Sequence, residues 1–443
     1  MISGIRNSVG AKNFSPKCKD ALRASDIWIK TNNMKHTIIT IAIALLVAAT
    51  GFCGNPKKER KTLAQAEELI AQKKYLSAYK VLDKYDPRND NSVIFLKKVD
   101  IVQNYFLFNI MNQIFCLDDI PFDKDVEDLR GNEEASGCSS VMFAIDTIAQ
   151  RLLEKEPNNC RLHRCLGEYY NSAADRFGDN WLDNSSSSQL DLRIRARKNL
   201  LKAEEFGCKD DKLFSDIALT YMYEELFTDA RDYLKKAIAY SSDTVADYYY
   251  NLAVTYYFDE NNGDIQQAIA NVAIAARHYT RDDLLGDSYF LLGSCYMRTD
   301  DYQQALQNFK KDEKYHPGQY YNLSNMMVCN LKLGSDEYKS NIHSIIDIYG
   351  DQTGAINDMV QQLYATDSSK CNELEEILKN EISSAAEPLL KANLQFPLGI
   401  LLYNQNKKTE AREQLLAAKK FFETDENYEE VLSYINDLLK KCK

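Results

Sequence analysis

Residues 287–317, DSYFLLGSCYMRTDDYQQALQNFKKDEKYHP, decide how the whole chain reads. Leu292, Gly293 and Tyr296 stand in a first amphipathic segment, and Ala305 and Phe309 stand in a second. Pro317 follows and closes the second, because it has no N–H to donate to a helical hydrogen bond. Gly293 and Ala305 have almost no side chain, so two antiparallel helix backbones can approach where they face. Leu292, Tyr296 and Phe309 then fill the space to either side. The spacing therefore predicts a tight helical hairpin.

The same arrangement recurs. Ile217-Ala218 and Tyr221 precede Ala230, Leu234 and Ala237 at the same offsets. Leu252-Ala253 and Tyr256 precede Ala268, Val272 and Ala275, with a lengthened turn from Asp259 to Asp264. Leu398-Gly399 and Leu402 precede Ala411, Leu415 and Ala418. Looser copies are Ala66, Leu69, Ala78 and Leu82 near the start, and Leu166-Gly167 with Tyr170, whose second helix (Ala196, Leu200, Ala203) is delayed. Generic amphipathic helices share the 3.6 period but have no reason to keep a fixed offset between small residues. In 287–317, with Tyr289 in the place of the usual Trp, all the spacings of the tetratricopeptide repeat are kept. The chain thus resembles tetratricopeptide-repeat proteins, of a bacterial exported or lipoprotein type. The resemblance implies an all-α fold, a right-handed superhelical solenoid of helical hairpins.

Composition agrees. The chain has 443 residues, 45% apolar, with 8 Pro and 17 Gly, too hydrophobic for disorder and too poor in turn residues for an all-β fold. A single core would be stretched at this length, whereas a solenoid buries surface only between neighbouring repeats. The net charge of -11 argues against nucleic acid, whose phosphates call for a basic stripe.

Residues 34–52 read as a signal peptide: Lys35 precedes an apolar run, Ile38 to Ala49, followed by small residues. Translation starting at Met34 would make 1–33 an extension of the reading frame; the alternatives are a long leader or a single membrane anchor. Cys53, just after the apolar run, is the candidate lipidation site of a bacterial lipoprotein, and 53–62 would be its tether. Phe52 and Thr50 depart from that pattern, and cleavage after Gly51 is the competing reading. The expected location is the cell envelope, in the periplasm or at the outer membrane.

The mature chain from 63 to 443 is expected to be repeat solenoid, with insertions near 117–138 and 171–190 and a C-terminal capping helix from Tyr428 to Lys441. Residues 92–116 read as one long apolar helix, partnered by Ser140 to Glu156. Cys116 and Cys138 flank the first insertion and could close it by a disulfide. Asp123, Asp125 and Glu127 alternate as in a calcium loop, but the Gly and the final Glu are out of register, so a solvated loop is favoured. Cys160, His163 and Cys165 (CRLHRC) suggest a metal but lack a second pair, which favours structural roles. In the second insertion Ser185 to Ser188 reads as flexible, while Phe177 and Trp181 could pack back onto the stack. After Pro317 two hairpins without the small-residue signature are expected.

No catalytic motif stands out: there is no G-x-S-x-G, no phosphate-binding Gly-rich loop and no H-E-x-x-H. The expectation is a protein that is not an enzyme and needs no cofactor or metal. In the family that the chain resembles, the first helix of each repeat lines an inner groove. Carried onto this sequence, that register selects Ser215, Leu219, Met222 and Tyr223; Tyr250, Val254, Tyr257 and Phe258; Phe290, Ser294, Met297 and Arg298; and Phe396, Ile400, Tyr403 and Asn404. The groove would be aromatic and apolar, centred on Tyr223, Tyr250, Tyr257, Phe290, Met297, Arg298 and Tyr403, and would hold an extended or helical polypeptide segment. The Lys and Asn clamp that family members use for carboxylate tails is absent from these positions. The implied role is a protein–protein interaction scaffold; the alternative is a surface glycan- or nutrient-binding lipoprotein.

Overall fold

A computed structural model describes residues 56–130, 137–177, 188–424 and 426–442. The chain before residue 56, with the signal segment, Cys53 and the start of the tether, lies outside the described residues, as does Trp181. The described residues are overwhelmingly α-helical and form two compact units, 56–262 and 263–442.

The first unit opens with the hairpin of α1 (Pro56–Ala71) and α2 (Tyr75–Tyr85). Residues 56–62, expected to be tether, are instead the first turns of α1; Pro56 starts the helix, where its missing N–H costs nothing. Helix α3 (Ser92–Asn104) follows, its first amides capped by the Asn91 side chain at 3.0 Å.

The expected long helix over 92–116 ends at Asn104. Beyond it lie β1 (Phe108–Ile110) and β2 (Ile114–Leu117), antiparallel with Phe108 opposite Cys116. Met111 and Asn112 between them have φ of 51° and 55°, the left-handed geometry of a tight hairpin turn. The partner segment is also shorter at its start, because Ser139–Met142 forms β3 against β2. Phe115 and Leu117 are fully buried, while Phe108, Ile110 and Met142 are exposed. The dense apolar run 106–117 suits a helical face by composition, but in β2 its burial alternates every two residues, as in a strand.

The described parts of the insertion after β2 are fastened to the rest of the unit. A Cys116–Cys138 disulfide closes the insertion, which contains a short helix α4 (Val126–Leu129). Arg130 donates to the carbonyls of Phe106 and Asn104 at 3.1 and 2.9 Å and pairs with Glu127 at 3.0 Å. Asp125 pairs with Lys73 at 2.7 Å. Among the described residues no group of His, Cys, Asp and Glu is arranged to hold a metal ion.

The rest of the unit is α5 (Ile145–Lys155), the hairpin of α6 (Cys160–Phe177) and α7 (Gln189–Glu205), the hairpin of α8 (Asp211–Tyr223) and α9 (Phe227–Tyr240), and α10 (Ala246–Phe258). Helix α6 continues to Phe177, so the second insertion is shorter than expected at its start, and Phe177 packs against the core. Ser188 and Asp191 form a reciprocal capping box that starts α7.

The second unit runs α11 (Ile265–His278), α12 (Asp282–Arg298), α13 (Tyr302–Tyr315), α14 (Tyr320–Lys332), α15 (Glu337–Tyr349), α16 (Thr353–Thr366), α17 (Cys371–Ser384), α18 (Pro388–Asn404), α19 (Lys408–Phe422) and α20 (Glu429–Lys441). Of the two hairpins expected after Pro317, α14 and α15 pack as a pair, whereas α16 packs mainly against α18 and α14 and hardly touches α17. Helix α20 buries Ile435, Leu438 and Leu439 against the core that ends in Phe422.

The seams between paired helices follow the small residues. A methyl group placed on Gly293 would sit 2.6 Å from the Phe309 ring, closer than atoms can pack. On Gly167 it would meet Leu200 at 2.5 Å, and on Gly399 it would meet Leu415 at 2.7 Å. Five hairpins also turn in one way. Lys73, Glu225, Asp300, Gly334 and Asn406 have φ between 58° and 67°. In each turn the next amide reaches back to the helix: Lys74 to Leu69, Leu226 to Tyr221, Asp301 to Tyr296, Ser335 to Asn330 and Lys407 to Leu402, at 2.8–3.0 Å. This is the Schellman ending of a helix, and it links the unsigned α14/α15 pair to the clear repeats.

Candidate functional site: a charged cavity on the first helices of the first unit

Helices α3, α6, α8 and α10 border a cavity of about 420 Å³. Its walls come mainly from α6, with α3 and α8 contributing equally and Arg193 reaching in from α7; α6 and α8 are the first helices of two consecutive hairpins. Leu96, Val99, Leu219, Tyr223 and Tyr248 give it apolar and aromatic surface. Charged side chains supply the rest, so this cavity is mixed and strongly charged, where the groove expected from the sequence is aromatic and apolar.

The charges are ordered by one another. Arg164 donates to Glu168 at 3.0 Å, one helical turn away, and also pairs with Asp210. Lys212 lies 3.5 Å from Glu168. Burial alone would push the Glu168 carboxyl up, but Lys212 and Arg164 outweigh it and hold it below its ordinary range. Arg193, 2% exposed, pairs with Asp175, donates to Asn171 at 3.2 Å and stacks 3.8 Å from the Tyr223 ring centre. Tyr223 also reaches Asp175 with its hydroxyl at 3.4 Å. Arg176 lies over Phe106 at 4.4 Å and donates to Asn109 and Asn112 at 3.3 and 3.4 Å.

Asp216 differs from these groups. Its Oδ2 is shielded from solvent and has no hydrogen-bond partner. Burial pushes its carboxyl up to about 7; Lys212 and Arg164 pull it down, while the Glu168 and Asp210 carboxylates add to the rise. Tyr248 across the cavity donates to Asp211 at 3.1 Å, and burial, with Asp211, raises its own hydroxyl.

Of the residues selected from sequence, Ser215, Leu219 and Tyr223 line this cavity. Met222 (0% exposed), Val254 (3%), Tyr250 (8%) and Tyr257 (3%) are buried core instead. On α10 the lining residues are Asp247, Tyr248 and Asn251, a different face of the helix. In the second unit Phe290 packs 5.7 Å from Phe309, Met297 and Tyr403 rest on the core, and Phe396 and Ile400 are within it. Arg298 is exposed at the end of α12. These second-unit residues are not gathered in the cavity.

The groove residues selected from the sequence include none from α6. With Gly167 as its small residue, the same register picks Arg164, Glu168, Asn171 and Ser172, and all four line the cavity. The delayed second helix had left this repeat out of the count. CRLHRC is structural: Cys160 is bridged to Cys208, His163 contacts the Pro157 carbonyl at 2.9 Å through Nε2, and Cys165 is a buried thiol raised by that burial.

The family model for the tetratricopeptide repeat matches residues 286–311. No curated protein matches the chain. Similar solved structures include the MamA protein (21% identity, 45% of this chain and 96% of that one, TM-score 0.35). Another is YrrB, described as a TPR protein with an unusual peptide-binding site (17% identity, 47% and 96%, TM-score 0.37). A third is a tetratricopeptide repeat protein from Parabacteroides merdae (15% identity, 62% and 98%, TM-score 0.37). With a repeat matched across α12 and α13, glycine seams also at Gly167 and Gly399, and the same Schellman turn in four further hairpins, this chain carries a tetratricopeptide repeat at 286–311 within a row of hairpins built in the same way.

Proposed function

We propose that the chain is a non-catalytic scaffold that grips a polypeptide segment in the cavity of its first unit. The observation that carries this reading is the cavity itself: about 420 Å³, walled by the first helices of consecutive repeats, with apolar surface beside fixed charges. That volume fits a few side chains of an extended or helical segment. Leu219, Tyr223 and Tyr248 offer apolar area, and the ordered ion pairs offer directional contacts without having to be organised on binding. The protein–protein scaffold role is the one that the tetratricopeptide-repeat fold supports.

The scaffold is proposed to work outside the cytosol, at the cell envelope. The Cys116–Cys138 and Cys160–Cys208 disulfides fit an oxidising compartment, and the signal-like 34–52 segment fits the same route. Cys53 is the proposed lipid attachment; intact mass measurement of the mature N-terminus tests it, since an unmodified Cys53 would remove the anchor.

The groove is tested by placing a photo-crosslinking side chain at Leu219, inside the cavity, and at Lys235, exposed on α9. Adducts to a polypeptide from 219 and none from 235 support the reading. Equal adducts from both positions, or adducts from 235 alone, refute it.

A further inference from the structure

We infer that the cavity of the first unit takes a cationic head, the ammonium or guanidinium of a basic side chain, against the Asp216 carboxylate. This rests on the reading that the cavity holds a polypeptide, and it names which side chain of that polypeptide enters deepest.

The argument starts from which charges are already satisfied. Glu168 is held by Arg164 and Lys212, Asp175 by Arg193, and Asp100 by Lys97 at 2.7 Å. The basic groups Arg164, Arg193 and Arg176 are occupied in the same contacts or by Asn109 and Asn112. Asp216 is left with a shielded Oδ2 that accepts nothing. A buried acceptor without a donor is costly, and a ligand that brings a charged donor removes that cost. The groups around Asp216 are Lys212 on its own helix, Asp210 in the turn before it, Arg164 and Glu168 on α6, and Asp247 and Tyr248 on α10. Leu219, one turn further along α8, provides apolar wall for the methylene stem that leads to such a head.

A pH dependence follows. Asp216 holds its proton up to about pH 7, so a cation entering below that pH must displace it. Affinity should therefore fall by about tenfold per pH unit as the pH drops below 7. Replacing Asp216 by Asn leaves the shape, removes the charge and should remove this slope.

The test uses the full mature protein and two probes. One is n-butylammonium chloride, which carries the head and stem of a lysine. The other is a labelled nonapeptide, Gly-Tyr-Leu-Ala-X-Ala-Leu-Tyr-Gly, with Lys, norleucine or Glu at X. The Lys peptide is expected to bind roughly tenfold to hundredfold tighter than the norleucine peptide, the range of a charge-assisted hydrogen bond. Asp216→Asn should erase that difference, while Asp229→Asn, on the exposed side of α9, should not. Lys and norleucine peptides binding equally, with no effect of Asp216→Asn, would overturn the cation and leave the peptide groove standing. Butylammonium lowering the Asp216 proton affinity in wild type, with no peptide competing, would keep the cation site and overturn the groove. No response to either probe would overturn both.

Discussion

At the scale of single residues, Gly293 and Gly334 carry two different physical burdens that can be separated. Gly293 is needed for space, since any methyl there meets the Phe309 ring. Gly293→Ala should cost about 1–3 kcal/mol, the usual price of overpacking, read as a lowered denaturant midpoint. Gly334 has open space but φ of 67°, so Gly334→Ala should cost roughly 1–2 kcal/mol through backbone strain alone. Gly354, with neither constraint, is the control and should tolerate Ala. Asp216 makes a pH prediction. Its carboxyl is raised when folded, from the ordinary 3.8 to about 7. The folded state thus keeps a proton that the unfolded chain loses, and this contribution is complete below the unfolded value. It is lost as the pH rises from about 4 to 7. Asp216→Asn should therefore gain on wild type across that window and flatten the curve. Identical pH curves for the two proteins would show that Asp216 ionises normally.

At the scale of elements, the hairpins were legible because their constraint is local. Gly293 and Ala305, or Gly399 and Ala411, mark a seam that is visible at a fixed distance in the chain. The segment 105–142 was not legible, because its register depends on a partner far along the sequence. Phe106, Leu107, Phe115 and Leu117 are all buried, so an apolar run there satisfies a helix or a strand equally well. What settles it is pairing to Ser139–Met142 and the disulfide from Cys116 to Cys138, neither of which a periodicity can contain. Likewise Cys160 pairs with Cys208 at the end of α7, a link that its neighbours His163 and Cys165 concealed by suggesting a metal. Removing that bridge by Cys160→Ser with Cys208→Ser should cost about 2–4 kcal/mol in thermal or denaturant unfolding. A change within error would mean that the bridge is not formed in the protein.

At the scale of the whole molecule, repeat proteins pass stability mainly between neighbours, and among the described residues both disulfides lie in the unit 56–262. Reduction should therefore raise hydrogen exchange across α3 to α8 while leaving α14 to α19 near their original protection. The candidate site was partly legible at this scale: the repeat register selected Ser215, Leu219 and Tyr223, which line the cavity, together with Tyr250 and Tyr257, which the stack buries. Large aromatic side chains serve the core and a groove equally well, whereas the charges of α6 have no use inside a core and were the better signal. The central claim is that this cavity is where a polypeptide is held. Its most direct test is Leu219→Trp, which fills the cavity from a half-buried position, measured as affinity for the partner recovered by cross-linking together with the melting temperature. The account predicts at least about a tenfold loss of affinity with a fold that melts within a few degrees of wild type, the cost of excluding a side chain from its pocket. Undiminished binding by a variant that remains folded would contradict it.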